Sequence, residues 1–305
     1  MRKEDAANAD TPISYGLNST LRKMSDGSLK EDVWYENGLY GSAIKHIVYW
    51  LGKAVGVAEN ERQVEIINML IEYYRTGDLH IFDQYSIEWL KEHEGRVDFI
   101  NGFIEVYGDP LGLKASWEGI VHYKDLVATR RTQTLSQNAQ WFEDHSPVDP
   151  RFRKPQVVGV TANVVCAVML GGDEYPSTAI GINLPNADWI RARYGSKSIT
   201  IGNLTHAYNQ AARGNGFAQE FVVDDATRDM IDKWGDVCDD LHTDLHECLG
   251  HGSGQLLPGV SADALGSYGS TIEEARADLF GLYYIADPKL TELGLTPSLD
   301  AYRSQ

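Results

Sequence analysis

His246-Glu247-Cys248-Leu249-Gly250-His251, followed by Glu273-Glu274-Ala275-Arg276-Ala277-Asp278, decides how this chain is read. Two imidazoles and a carboxylate 23 residues beyond the second make a three-ligand zinc set, and three protein ligands leave a position for water. An ion so held lowers the pKa of that water and polarises a scissile carbonyl. Glu247, beside the first imidazole, stands where it can take the proton from water and hand it to a departing amine. These are the parts of a hydrolase.

The histidine spacing carries a structural demand. In the familiar zinc-peptidase helix two histidines stand four apart, on one face. Here they are five apart, and at about 100° per residue the rings of a regular helix diverge by roughly 140°. The helix must be locally irregular, and Gly250 is the residue that lets it bend or widen. His242 and His246, four apart, are the easier pair on a regular helix and stay open as the alternative. Cys248 could also ligate zinc, but its position between Glu247 and Leu249 points more naturally toward helix packing. On the next segment Ile272, Ala275 and Leu279 form an apolar stripe while Glu274 and Asp278 share another face. That favours Glu274 over Glu273 as third ligand, although periodicity scarcely separates them. Asp278 is placed to hold a histidine ring through its second nitrogen. Arg276 either neutralises carboxylates nearby or is solvated.

Around this centre the chain is mainly α with a minor β component. Helical spacing runs through 42–57, 62–74, 85–93 and 99–107, and a long polar helix is expected over 124–142. Residues 157–170, 179–184 and 198–201 read as strands. Helices return at 204–212, from 226 to about 250, and over 272–285, with a Gly/Ser/Pro-rich loop at 252–271. The expected division is 1–155, mainly helical; 156–202, mixed strand and loop; and 203–305, the helical zinc-binding region.

A net charge of -17 argues against nucleic acid or an anionic membrane surface as partner, and favours positively charged substrates if it favours any. No apolar run reaches the length of a membrane span, and the first twenty residues lack the apolar core of an export signal. Three scattered cysteines make no disulfide framework, so a reducing compartment, the cytoplasm, is expected.

The two motifs together resemble the paired signature of the dipeptidyl peptidase III family, zinc exopeptidases that remove dipeptides from peptide N-termini. The resemblance implies one zinc ion per chain on His246, His251 and Glu274, Glu247 as acid/base, and Glu273 and Asp278 supporting the ligands. The family's second motif often ends in glutamate; Asp278 is a conservative departure with a shorter reach. The resemblance extends to Phe103-Ile104-Glu105-Val106-Tyr107-Gly108-Asp109-Pro110 and Trp117-Glu118-Gly119. There it implies that Glu105 and Glu118 bind the substrate's free ammonium and that Tyr107 hydrogen-bonds the peptide or a developing oxyanion. Unaided, Tyr107 reads equally as a packed aromatic at a helix end. Gly181-Ile182-Asn183-Leu184-Pro185-Asn186 is similar to the family's cleft-lining segment, which implies that Asn183 and Asn186 hold the substrate backbone.

The implied fold is a helical zinc-metallopeptidase core with part of a second, cleft-forming lobe. The implied partner is an oligopeptide with a free N-terminus, with self-association left open. Family members are usually much longer, so the chain reads as the middle of such an enzyme, whether a fragment or a natural short form. The later helical region of the family supplies a histidine, and none follows His251 here. The expected activity is dipeptide release. An aminopeptidase or endopeptidase of altered cleavage length, or an inactive peptide-binding or assembly module, are the alternatives.

Overall fold

A computed structural model describes residues 10–157, 162–260 and 262–305. A hairpin of β1 (Ser19–Lys23) and β2 (Leu29–Val33) precedes helices α1 (Gly41–Val55), α2 (Glu61–Thr76) and α3 (Leu79–Leu90). Strands β3 (Val97–Phe103) and β4 (Trp117–Lys124) lead into α4 (Leu126–Gln137) and α5 (Ala139–His145). Next come β5 (Ala162–Gly172), β6 (Gly181–Leu184), α6 (Asp188–Tyr194) and β7 (Lys197–Ile201). The last stretch holds α7 (Gly202–Ala212), α8 (Phe217–Phe221), α9 (Asp225–Leu245), a π-helical turn (His246–Gly250), α10 (Gly269–Ile285) and α11 (Pro288–Glu292). The larger sheet has the order β3-β4-β5-β7-β6. The fold is mainly α with a minor sheet, as expected. Of the strand expected over 157–170, residues 158–161 lie outside the described residues.

The chain forms two compact units. The first runs through Tyr123 and takes in Ala167–Ala179 and Asn183–Lys197. Helix α2 starts where Asn60 accepts from the Gln63 amide at 2.9 Å and ends at Gly77, whose φ of 73° needs no Cβ. Asp78 then caps α3 by accepting from His80, which is why that helix begins well before the expected residue 85. Leu70, Tyr73 and Tyr74 are buried with Phe82, Tyr85 and Trp89.

The helix expected over 99–107 is instead β3 and the loop after it. Strand β3 pairs antiparallel with β4, matching Ile100 with Ile120 and Phe103 with Trp117. Asp98, Ile100 and Gly102 alternate as buried positions, a period of two in which only one residue is a large apolar one. The buried Asp98 is satisfied from a distance: Lys197 Nζ donates to it at 3.0 Å and Trp89 Nε1 at 3.0 Å. A local pattern carries no trace of either partner.

The second unit comprises Lys124–Cys166, Ile180–Ile182 and Ser198–Gln305. Its core gathers Leu135 and Phe142, Cys238, Leu241 and Leu245 of α9, Cys248 and Leu249 of the π turn, and Phe280 and Tyr284 of α10. The long polar helix expected over 124–142 is two helices. It divides at Asn138, whose side-chain amide donates to the Thr134 carbonyl at 2.8 Å. Asp224 caps α9 through the Thr227 amide. The apolar stripe expected on α10 is also corrected: Ile272 and Leu279 are exposed, while Ala277, Phe280 and Tyr284 face the core. Ala277 adds little to a hydrophobic count, so the face it marks is hard to see in sequence.

Candidate active site

At His246 the helix widens. The amide of His251 donates to the carbonyl of His246 at 3.0 Å, closing a turn across five residues where α9 closes across four. This is the irregularity that the five-residue spacing demands. Cys248 and Leu249 sink into the core from this turn, and burial drives the Cys248 thiol well up, so it stays a packing residue. Gly250 is required by packing: a Cβ there would lie 2.7 Å from the Ala277 carbonyl oxygen and 2.8 Å from its Cα.

The widened turn brings His246 Nε2 and His251 Nε2 within 3.1 Å of each other. Glu274 Oε2 lies 3.3 Å from the first and Oε1 3.7 Å from the second. Ligand atoms around a tetrahedral zinc with bonds of about 2.0–2.1 Å stand about 3.3 Å apart, so the spacing fits one ion. The tautomer fits as well. His251 Nδ1 meets Glu273 Oε1 at 3.0 Å, which places the proton on Nδ1 and leaves the Nε2 lone pair directed at the cluster. Among the described residues this trio is the group able to hold a metal.

The alternative histidine pair does not form a cluster. His242 Nδ1 faces Gln305 Oε1 at 2.9 Å and its Nε2 lies 3.1 Å from Asp278 Oδ1. Asp278 is 3.7 Å from His246 Nδ1, so it stands between two rings and is nearer the one outside the trio. Glu273 is clamped by Arg276, whose Nε and Nη2 donate to its oxygens at 2.9 and 2.6 Å. Burial would raise Glu273, but hydrogen bonds from Arg276 and His251 outweigh it and hold it below the usual carboxylate range. Arg276 also donates to the Gly250 carbonyl and to Ser253 Oγ, each at 2.8 Å. It ties the end of the turn to the carboxylate that orients His251, a role the sequence left undecided. Glu247 is half-buried beside β6, where Gly181 leaves it room: a Cβ there would lie 3.2 Å from Glu247 Oε1.

In the first unit Glu105 follows β3 and accepts from Asn186 Nδ2 at 3.0 Å. Burial raises its carboxyl, the Asn186 hydrogen bond partly offsets this, and Glu174 and Asp173 raise it further. Glu118, on β4, is 2% exposed. Burial, a hydrogen bond with Glu174 and the charges of Glu105, Glu174 and Asp173 push it up to about 9. Asp173 accepts from Ser116 Oγ at 2.7 Å, and Glu174 from the Thr178 hydroxyl. Asn183 Oδ1 accepts from Arg191 Nη2 at 3.2 Å. Tyr107 stands in a turn, 89% exposed, and is not packed at a helix end. A cavity of about 450 Å³ is bounded by Glu105, Tyr107 and Asn186 together with Phe82, Asp83 and Trp89. Asp173 and Glu174 follow the Gly171-Gly172 turn without any motif, and only the fold reveals them beside Glu118.

The chain matches the model of peptidase family M49 over residues 16–264. It belongs to that family. Glu273, Glu274 and Asp278 lie beyond the matched span and are joined to its histidines by the contacts above. A human protein named dipeptidyl peptidase 3 is 27% identical over 287 residues, covering 84% of this chain and 38% of its own length. Its namesake from Nematostella vectensis is 29% identical over 267 residues, covering 81% of this chain and 34% of its own. The chain thus spans well under half the length of these M49 relatives. A solved structure of DPP III from Caldithrix abyssi superposes with a TM-score of 0.81 at 22% identity, over 99% of this chain and 56% of that one. The shared fold is therefore nearly complete across this chain.

Proposed function

We propose that this chain is the catalytic core of a zinc-dependent dipeptidyl peptidase that releases residue pairs from the free N-terminus of oligopeptides. One observation carries the reading: the π turn sets two imidazole nitrogens 3.1 Å apart with Glu274 beside both. His246, His251 and Glu274 would hold zinc, which supplies Lewis acidity toward a peptide carbonyl and a water. Glu247 then takes the proton from the attacking water and delivers it to the leaving amine. Glu273 and Asp278 orient the imidazoles. Glu105 and Glu118 hold the substrate's ammonium, Asn183 and Asn186 its backbone, and Tyr107 donates to the peptide or to developing negative charge. The cysteines Cys166, Cys238 and Cys248 are free, which supports a reducing compartment such as the cytoplasm. Among the described residues no helix is long and apolar enough to cross a membrane.

The test compares an oligopeptide with its N-acetylated form, following products over time on the zinc-loaded chain. Dipeptides released from the free amine alone support the proposal; internal cleavage of both peptides points to an endopeptidase and refutes it. Glu247→Gln should abolish release while about one zinc per chain remains bound. A zinc-loaded chain that binds the free peptide without cutting it would be the peptide-binding module instead.

A further inference from the structure

The segment that leaves the π turn is held residue by residue from a stretch 98 to 111 positions earlier in the chain. Lys154 Nζ donates to the Gly252 carbonyl at 2.5 Å. The Gly254 amide donates to both carboxyl oxygens of Glu143, at 3.0 and 3.2 Å. The Gln255 amide donates to the Phe152 carbonyl at 2.8 Å. Glu143, near the end of α5, is 1% exposed, and its Oε1 also accepts from the Lys154 amide at 2.5 Å. One buried carboxyl group thus ties the two segments together. The anchoring stretch is braced by its own contacts: Arg153 donates to the carbonyls of Asp144, Ser146 and Val148 at 2.6, 2.7 and 3.1 Å. Asp149 caps the short turn Pro150–Phe152 by accepting from the Arg151 amide at 2.9 Å.

A π turn has a competitor in the regular helix. There the His251 amide would donate to the Glu247 carbonyl instead of that of His246. Every residue beyond would then shift by one position, about 100° around the axis and about 1.5 Å along it. The regular form is by far the commoner, so contacts outside the turn must favour the wide one. Gly252, Gly254 and Gln255 are each held at a particular backbone atom, and a one-residue shift would break the three attachments together. It would also strip the Gly254 donor from Glu143 in the protein interior, where a lost partner is costly.

We propose that Glu143 and Lys154 are positioning residues of the metal centre, which lock the register of the π turn and thereby aim His251 at the ion. They act through the backbone of residues 252–254, whereas Glu273 orients the imidazole itself. Arg276 grips the same turn from α10, at the Gly250 carbonyl and Ser253 Oγ, so its end is held from two sides. Lys154 also brings a cation to the place where the helix carbonyls run out, the negative end of the helix dipole. The proposal rests on reading His246, His251 and Glu274 as a metal site.

Cobalt(II) is the probe, because its visible bands report the number and arrangement of its ligands. Spectra and chelator competition are measured on the full cobalt-loaded chain, and hydrogen exchange across residues 246–255 on the metal-free chain. Glu143→Leu removes the acceptors at similar volume; it should weaken cobalt binding about tenfold, alter the bands and speed the exchange. Glu143→Gln should restore most of all three, since its amide oxygen can accept from the Lys154 and Gly254 amides as Oε1 does. Lys154→Met keeps the aliphatic stem and drops the donor, and should give a smaller change of the same kind. It decides the matter if Glu143→Leu does not fold. Variants that lose thermal stability while keeping the parent's bands and affinity overturn the proposal and leave the peptidase reading standing, as does a Glu143→Gln chain no better than Glu143→Leu. A parent chain that binds no cobalt refutes the metal site, and the positioning role with it.

Discussion

Arg276 makes a demanding set of contacts, reaching both oxygens of Glu273, the Gly250 carbonyl and Ser253 at once. Its planar fork can span those acceptors, whereas an ammonium reaches fewer of them at a time. Arg276→Lys should therefore loosen the orientation of His251 while leaving the fold intact, and zinc affinity should drop roughly tenfold to a hundredfold. Competition against a chelator, with circular dichroism as the control for folding, checks this; unchanged affinity would mean that Arg276 is dispensable. At this scale the grouping of His246, His251 and Glu274 was legible in sequence because its members sit in two short motifs. The single-residue contacts of Arg276 and Lys197 were not. Each is defined by partners in other segments, up to 108 residues away for Lys197 and the Trp89 carbonyl.

Among the elements, the π turn was legible and β3 was not, for opposite reasons. Five-residue histidine spacing is incompatible with a regular helix if both rings serve one ion, so the irregularity followed from geometry alone. In β3 one face carries the buried Asp98, Ile100 and Gly102, while Phe99 and the buried Phe103 on the other imitate a helical repeat at i and i+4. Its strand character comes from pairing with β4, which local spacing does not encode. The face of α10 escaped notice for a related reason: its central contact is Ala277 packed on Gly250, a close approach of backbone made by two small residues. Gly250→Ala should push the turn away from α10, destabilising the chain by about 1–3 kcal/mol and weakening zinc binding together. Thermal unfolding of metal-free and zinc-loaded protein measures both effects, and an unperturbed variant would show that the contact is slack.

For the molecule as a whole, buried acids set the response to pH. Asp83, on α3, is buried with one carboxyl oxygen lacking a partner, and desolvation pushes it up to about 7, only partly offset by His80. A carboxyl raised in the folded state keeps a proton that the unfolded chain gives up, so its ionisation opposes folding as pH rises. Stability should decline from the ordinary carboxylate value of 3.8 up to about 7, and then level off for this group. Asp83→Asn should flatten that part of the profile and raise stability at neutral pH relative to the parent. Denaturant unfolding of both proteins across pH 4–9 reads the difference, and identical slopes would exclude Asp83 as the source. The balance of helix and strand was accessible from periodicity, since long helices report themselves. The interleaving of segments into two units was not, because each unit is assembled from stretches far apart in the chain.

A turn closed across five residues contains one residue more than the regular helix it interrupts. Whatever follows Gly250 is thereby rotated by about 100° out of phase with α9. Against a zinc helix of the four-spaced kind, this chain can be aligned only by opening a gap inside the hexapeptide from His246 to His251. Insertions are ordinarily absorbed by surface loops, and here the surplus residue sits in the hydrophobic interior, between the two imidazoles it serves to aim.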